Sequence, residues 1–389
     1  MSLMSEYMGK SYNELEIDLM ALIKRYNDYT NSNLFLYVSA IGKQVPEIAL
    51  DQSDFYVIRD LLKDFNSREL HILIETPGGS GEAAEEIVRY IREHFDSVSF
   101  IVVGEAKSAG TIIVLSGNEI YMTETGSLGP IDAQVFIGRS VSSAYDYVEW
   151  IRAKHEEAAK TGQLNPFDAM MIAQITPGEL VGVENSLNFA QDLVVDWLSA
   201  YKFSKWNETE IKKIPVTQEM KRDRAKQIAE ALCNRTKWRS HGRSIKIRDL
   251  QEIGLKINCI DDDAELSDIV YRIHTVYRLI FDSDPTFKIL GTVDKIISKV
   301  ANPFNQRNEE AIIQENNAEI VIINQTCPKC NDVHKIYCKL ADPEVYEKFQ
   351  KEDFKPYPQD DKILCKCSFA IDTLLIKNDI EEKTNKKII

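Results

Sequence analysis

Two short runs decide how this chain folds: Glu75-Thr76-Pro77-Gly78-Gly79-Ser80-Gly81 and Val103-Gly104-Glu105-Ala106-Lys107-Ser108-Ala109-Gly110-Thr111. Each follows an apolar run rich in β-branched residues, Leu70 to Ile74 and Val98 to Val103, and each leads into a helix-like stretch. The pair therefore reads as two strand-turn-helix corners of one α/β sheet. Corners of this kind leave backbone N–H groups free at strand ends and helix N-termini, where they attract negative charge. A hydroxyl beside them, Ser108, has the setting to attack a carbonyl while the amides hold the oxyanion.

Working outward, the pattern alternates strand and helix. Leu34 to Ala40 reads as a strand, Ser53 to Asp64 as a helix, and Glu82 to Phe95 as a helix with its apolar residues at helical spacing. Ala109 to Leu115 reads as a short buried helix and Glu119 to Met122 as a further strand. This is a βαβ series, which predicts right-handed crossovers and a mostly parallel sheet. Upstream, residues 11–28 carry the stripe Leu15, Leu19, Leu22, Ile23 and Tyr26 behind a Ser11-x-x-Glu14 capping box. That stripe suits either packing on its own domain or an oligomer contact. Downstream, longer helices are expected over Tyr145–Lys160, Leu187–Tyr201, Thr217–Asn234 and Glu265–Phe281, with a short one over Ile247–Ile253 stopped by Gly254.

The 389 residues carry 61 Asp and Glu against 47 Lys and Arg, a formal net charge of −14, with 44% hydrophobic residues. That is enough apolar material for a core, and no Lys/Arg block offers a phosphate-binding surface, so no nucleic-acid partner is expected. Charges at Glu14, Glu16, Asp18, Lys24 and Arg25 break any signal-peptide pattern, and no uncharged apolar run is long enough for a membrane span. A cytoplasmic protein is expected.

Of seven cysteines, five crowd into the last fifth of the chain. An odd total without a secretion signal points to metal in preference to a disulfide framework. Cys327-Pro328-Lys329-Cys330 has knuckle spacing, and Cys365-Lys366-Cys367 supplies a second pair, so four thiolates are expected to hold a structural zinc ion, with Cys338 and His334 as substitutes. A four-thiolate site has no open position for water. The segment is therefore read as a recognition or assembly module, stabilised by metal because it is too short for a large core.

Three blocks together carry a resemblance: Glu75-Thr76-Pro77-Gly78-Gly79-Ser80, Ala106-Lys107-Ser108-Ala109-Gly110-Thr111 and Gly126-Ser127-Leu128-Gly129-Pro130-Ile131-Asp132. In order and spacing they resemble the ClpP/crotonase fold in its serine-protease branch, and most nearly the serine dehydrogenase proteinase family, relatives of the signal peptide peptidase A type. The resemblance implies an α/β fold of the ClpP/crotonase-like β-β-α superhelix type, to which the cysteine spacing adds a small C-terminal Cys-rich, zinc-ribbon-like module. The resemblance covers roughly 33–285, the peptidase domain, while periodicity, composition and cysteine placement set off an N-terminal amphipathic helix (1–32), a linker (286–318), the Cys-rich module (319–375) and a tail (376–389).

The resemblance also implies a serine endopeptidase: nucleophile Ser108, oxyanion hole at Gly79 and Ala109, and a peptide or unfolded polypeptide bound as an added strand beside the Gly-rich loop. Homo-oligomerisation is implied as well. Clp-type proteases place a histidine about 25 residues past the serine, but Asp132 and Ala133 stand in that neighbourhood. Signal peptide peptidase relatives use a lysine from a downstream helix, which makes Lys160 the first choice and Lys154 the second. Either serves only if burial depresses its pKa. His241, in Trp238-Arg239-Ser240-His241-Gly242-Arg243, is the alternative base, and Lys107 is expected to point away across the turn. Two other readings fit the same blocks: a crotonase-like acyl-CoA enzyme and a non-catalytic scaffold. No Walker-type phosphate loop is present, so no nucleotide cofactor is expected and any unfolding motor would be a separate chain.

Overall fold

The computed structural model describes residues 2–301 apart from 66, 132–133, 138–139 and 210, together with 320–327, 332–339, 355–367, 370–384 and 388. The chain divides into two compact units, Met1–Val300 and Ala301–Ile389. Asp132, Cys330 and residues 302–318 of the expected linker lie outside the described residues.

In the first unit, strands β1 (Leu34–Ser39), β2 (Glu69–Glu75) and β3 (Ser97–Val102) are buried on both faces, which is why their sequences run apolar without alternation. Period-two geometry nevertheless sorts the side chains. Phe35, Tyr37, Ile72, Ile74, Phe100 and Val102 enter one core, and Leu34, Leu36, Val38, Leu73, Ile101 and Val103 the other. The short strands β4 (Glu105–Ala106), β5 (Glu119–Met122), β6 (Ser127–Leu128), β7 (Gln134–Ile137), β8 (Ser140–Ser143) and β9 (Asn258–Cys259) follow. The chain then returns through β10 (Thr286–Gly291) and β11 (Ile296–Val300). The main sheet has the order β11-β10-β1-β2-β3-β5-β9; β1, β2, β3, β5 and β9 are parallel neighbours, and β10 and β11 are antiparallel additions.

The helices in chain order are α1 (Leu3–Tyr7), α2 (Tyr12–Thr30), α3 (Gln52–Leu62), α4 (Gly81–His94), α5 (Ala109–Val114), α6 (Ala144–Thr161), α7 (Pro166–Ile172), α8 (Pro177–Trp197), α9 (Gln218–Cys233), α10 (Arg235–Trp238), α11 (Ile247–Glu252) and α12 (Ala264–Ser283). A π-helical turn, Leu198–Lys202, continues α8. The first core is roofed by α3, α4, α5, α8 and α9, the second by α2 and α12. Ser11 and Glu14 close the expected capping box at α2. The stripe of α2 is buried in the same core as α12, so it packs within its own unit and does not form a separate N-terminal element.

Two expectations are corrected. Residues 286–300, read as the start of a linker, are sheet strands: Val38 pairs with Ile289 and Leu36 with Gly291 across β1 and β10. The break at Asp282-Ser283-Asp284-Pro285 marks the turn out of α12, not the end of the domain. In the second unit, β12 (Ile320–Thr326) pairs with β13 (Val333–Lys339), which also pairs with β14 (Lys355–Pro356); β15 (Lys362–Leu364) pairs with β16 (Ala370–Asp372). The presumed tail contains a helix, Leu374–Thr384, whose Ile380 is buried with Ile336 and Cys338.

Candidate active site

The site is built on a small second sheet. Strands β4 and β6 pair in parallel, and single bridges extend them to Thr76 on one side and Ile245 on the other. Thr76 N donates to Glu105 O at 2.8 Å and Lys107 N to Thr76 O at 3.0 Å, tying the Gly-rich run directly to the serine run. Where the two runs meet, only a glycine fits. Gly78 has φ +95°, and a Cβ on it would lie 2.7 Å from Ser108 Cβ and 2.6 Å from Lys107 O.

Its neighbour is pinned from the other side. A Cβ on Gly79 would lie 2.2 Å from Leu50 O. Leu50 N donates to Gly78 O at 2.8 Å and Ser80 N to Leu50 O at 2.9 Å. Backbone groups alternate in direction along an extended chain, so the Gly79 N–H faces away from Leu50.

Ser108 itself adopts φ +50° and ψ −119°, a sparsely populated region for a residue with a side chain, at a cost of about 1–3 kcal/mol. The turn is held by Gly110 N on Lys107 O (2.8 Å), Thr111 Oγ1 on Ala106 O (2.7 Å) and Gly129 N on Thr111 Oγ1 (2.9 Å). A Cβ on Gly110 would lie 2.4 Å from Thr76 Cγ2, so the small residues after Ser108 serve the contact between the loops. Among the described residues the Ser108 hydroxyl has no hydrogen-bond partner, and the Gly79 and Ala109 amides donate to no protein acceptor. The corner therefore presents a strained, half-buried hydroxyl and two unoccupied amides on loops that touch.

Residues 45–164 match a family described as ClpP-like SDH-type serine proteinase. That stretch of the chain is similar to the family. Two curated proteins of Methanocaldococcus jannaschii, both named as uncharacterized, are similar to it. MJ0137 is 21% identical over 69% of this chain and 81% of its own length. MJ1495 is 23% identical over 49% of this chain, which spans about half (52%) of that protein. Two solved structures of the 1510-N membrane-bound stomatin-specific protease are each similar at 15% identity. A serine-to-alanine mutant has a TM-score of 0.33 over 57% of this chain and 79% of that one. A lysine-to-alanine mutant in complex with a substrate peptide has a TM-score of 0.31 over 56% and 72%.

In the first unit the three expected bases sit apart from the corner's own hydrogen bonds. Lys160 is 76% exposed and pairs with Glu156 one turn back on α6, so the burial required of a lysine base is missing. Lys154 is clamped by Asp168 at 2.8 Å and Glu157 at 2.9 Å, and these carboxylates raise its pKa, the wrong direction for a proton acceptor. His241 faces Gln134, with its Nδ1 3.4 Å from Nε2. Lys107 behaves as read from the sequence. It turns away from Ser108 and donates to Ser127 Oγ, Leu128 O, Arg243 O and Ser244 Oγ at 3.0–3.4 Å. Burial lowers its pKa, but with four acceptors around its ammonium it is the bolt between the third block and the serine run.

Sequence reasoning missed what lies beneath the Gly-rich loop. Glu75, the last residue of β2, is 3% exposed and accepts from Tyr277 Oη and, at 3.3 Å, from Arg278 Nη1, with His274 Nε2 3.6 Å away. A Cβ on Gly104 would lie 2.5 Å from Glu75 Oε2, so the carboxylate is wedged beneath both loops and anchored to α12. Burial raises the pKa of Glu75 against the pull of Tyr277 and Arg278. Burial, with the charge of Arg278, depresses that of His274 to about 4. The sequence signal was a glutamate closing the apolar run Ile72 to Ile74.

In the second unit the Sγ atoms of Cys327, Cys365 and Cys367 lie within 4.8 Å of one another, with Cys327 and Cys367 3.6 Å apart. Zn–S bonds of about 2.3 Å in a tetrahedron place sulfurs about 3.8 Å apart, so these three thiols fit the group. Asp332 and His334 also cluster with Cys365. Cys338, a candidate substitute, packs instead against Ile336 and Ile380, and burial raises its thiol pKa to about 12.

Proposed function

We propose that the chain is a serine endopeptidase that cleaves peptides or unfolded polypeptides through an acyl-enzyme on Ser108, with the Gly79 and Ala109 amides as the oxyanion hole. The observation that supports it best is the contact between the loops at Gly78, which sets a strained hydroxyl beside two unoccupied amides. Ser108 Oγ adds to the peptide carbonyl carbon while its proton passes to a base. The carbonyl oxygen takes the negative charge and is held by the two amides. Collapse expels the amine, which takes up the proton, and water then hydrolyses the acyl-serine. A crotonase-like reaction would use the same amides for an enolate but gives no reason for a serine in a strained conformation between them.

Lys160, Lys154 and His241 have partners that draw them elsewhere in the single chain, so the reading rests on nucleophile and oxyanion hole and assigns none of them as base. Exposed Phe167 and Met170 on α7, 65% and 64% accessible, support self-association, which light scattering tests directly. For the Cys-rich unit, Cys327, Cys365 and Cys367 are the residues that would hold zinc, with Cys330 as the fourth thiolate from the sequence. The ion would supply a closed structural cross-link. Among the described residues no helix is long and apolar enough to cross a membrane.

The test is covalent labelling of the full chain with a fluorophosphonate, alongside hydrolysis of casein. The expected outcome is stoichiometric labelling that maps to Ser108 and disappears, with casein hydrolysis, in Ser108→Ala. Equal labelling and turnover in Ser108→Ala would remove the reading.

A further inference from the structure

The loops of Ser108 leave the C-terminal ends of β2 and β3. At the opposite end of the same sheet is a cavity of about 930 Å³, lined by Glu119, the first residue of β5, and by the segment Gly254–Ile257 that leads into β9. That volume falls in the range of small-molecule sites, about 300–1,000 Å³.

Its charge is the reverse of the molecule's. In a chain of net charge −14, Lys202, Lys205, Lys212, Arg224 and Lys256 converge on a space to which Glu119 contributes the only carboxylate among the described residues. Glu119 is already engaged, accepting from Lys202 Nζ and Asn258 Nδ2, each at 3.0 Å. Lys202 is buried to 4% exposure by that pair. Among the described residues Lys205, Lys212, Arg224 and Lys256 form no contact ion pair. Like charges gathered around a concave surface repel one another and focus a positive potential into it, an arrangement relieved by a bound anion.

Two further features make the cavity specific. Gly254 has φ +86°, and a Cβ there would lie 1.4 Å from Arg224 Nη2, so the guanidinium fills the space of the missing side chain. On the apolar side, Phe203 and Trp206 meet edge to face, 5.7 Å between centroids, near buried Leu255 and Ile257. A guanidinium fork and mobile ammonium groups suit phosphate oxygens, and an aromatic pair suits a flat ring.

We propose that this cavity binds a phosphorylated small molecule bearing a flat ring, with its phosphates among the lysines and Arg224 and its ring against Phe203 and Trp206. It uses side-chain cations and requires no Walker-type loop, so it stands apart from the phosphate-binding mode whose motif the sequence lacks. The site is separate from Ser108 and holds or fails independently of the peptidase reading.

Equilibrium dialysis of the full chain with ATP, tripolyphosphate and adenosine, read together with Trp206 fluorescence, tests it. ATP is expected to bind saturably and quench the fluorescence, tripolyphosphate to bind several-fold more weakly, and adenosine not to bind. The exposed pair Lys205→Glu and Lys212→Glu is expected to weaken ATP at least about tenfold. Trp206→Leu is expected to weaken ATP but leave tripolyphosphate unchanged. Absence of saturable ATP binding at about millimolar concentration, or ATP affinity unmoved in the charge-reversed chain with unaltered circular dichroism, overturns the proposal. Tripolyphosphate binding as tightly as ATP, or adenosine doing so, overturns the paired recognition of ring and phosphate.

Discussion

The serine corner and the α6–α8 excursion carry the two halves of the expected catalytic apparatus, and they are built by opposite means. At the corner, position is set by backbone: Thr76 to Ala106, Leu50 to Gly79, and glycines at 78, 79 and 110 where a Cβ would strike a neighbour. On α6, Lys160 is placed by the side chain of Glu156 at a surface open to water, and the partly covered Lys154 by those of Glu157 and Asp168. Backbone pairing fixes atoms to within tenths of an ångström, whereas exposed ion pairs contribute about 0–1 kcal/mol and fix little. A nucleophile can be recognised in such a fold before its base can.

The sharpest way to test that contrast is Gly79→Ala. The added methyl collides with Leu50 and displaces the amide proposed as an oxyanion donor, so the fluorophosphonate labelling rate should fall about 100-fold while Ser108 remains present. An unchanged rate would mean that the double-glycine bend is not part of the site. Next is Lys107→Met, which leaves the acceptors of Ser127, Leu128, Arg243 and Ser244 short of a donor. Urea unfolding should show a loss of about 2 kcal/mol, with labelling slowed because the turn before Ser108 loosens.

A third measurement reads the anchor beneath the corner. The imidazole of His274 is held neutral in the fold, with its pKa at about 4 against the ordinary 6.5. Between these values the unfolded chain takes up the extra proton, so stability falls as pH drops through 6.5 towards 4. His274→Gln should remove on the order of 2 kcal/mol of that acid loss, seen as a flatter dependence of urea midpoint on pH. A parallel dependence in both chains would detach His274 from the corner's support. The smallest effect is expected on the excursion itself. Lys160→Ala and Lys154→Ala should each change the labelling rate by less than about threefold, because each lysine is engaged with carboxylates of its own region and not with the corner. Loss of labelling in either would break the comparison and bring the helical arm to the serine.

Legibility followed the range of the interaction. The capping box at Ser11 and the strands β1, β2 and β3 depend on neighbours within a few residues, and period and turn chemistry reveal them. The return of β10 to pair with β1, about 250 residues away, leaves no local mark beyond a short apolar run after a proline turn, so the stretch reads as linker. The Glu75 anchor reaches across to Tyr277 and Arg278 on α12, and nothing in the run Leu70 to Glu75 announces that partner. Lys160 misled because its spacing from Ser108 suits a dyad, while its protonation depends on burial, which spacing does not encode.

By itself the sequence determined that two glycine- and serine-bearing corners close adjacent parallel strands, because β-branched runs and turn residues impose that conformation locally. Only the tertiary structure decided that Gly78 touches Ser108, that Leu50 turns the Gly79 amide outward, and that Lys160 on α6 remains in water. Those outcomes rest on contacts between residues distant in the chain and on desolvation. Both come into being only when the separate elements pack.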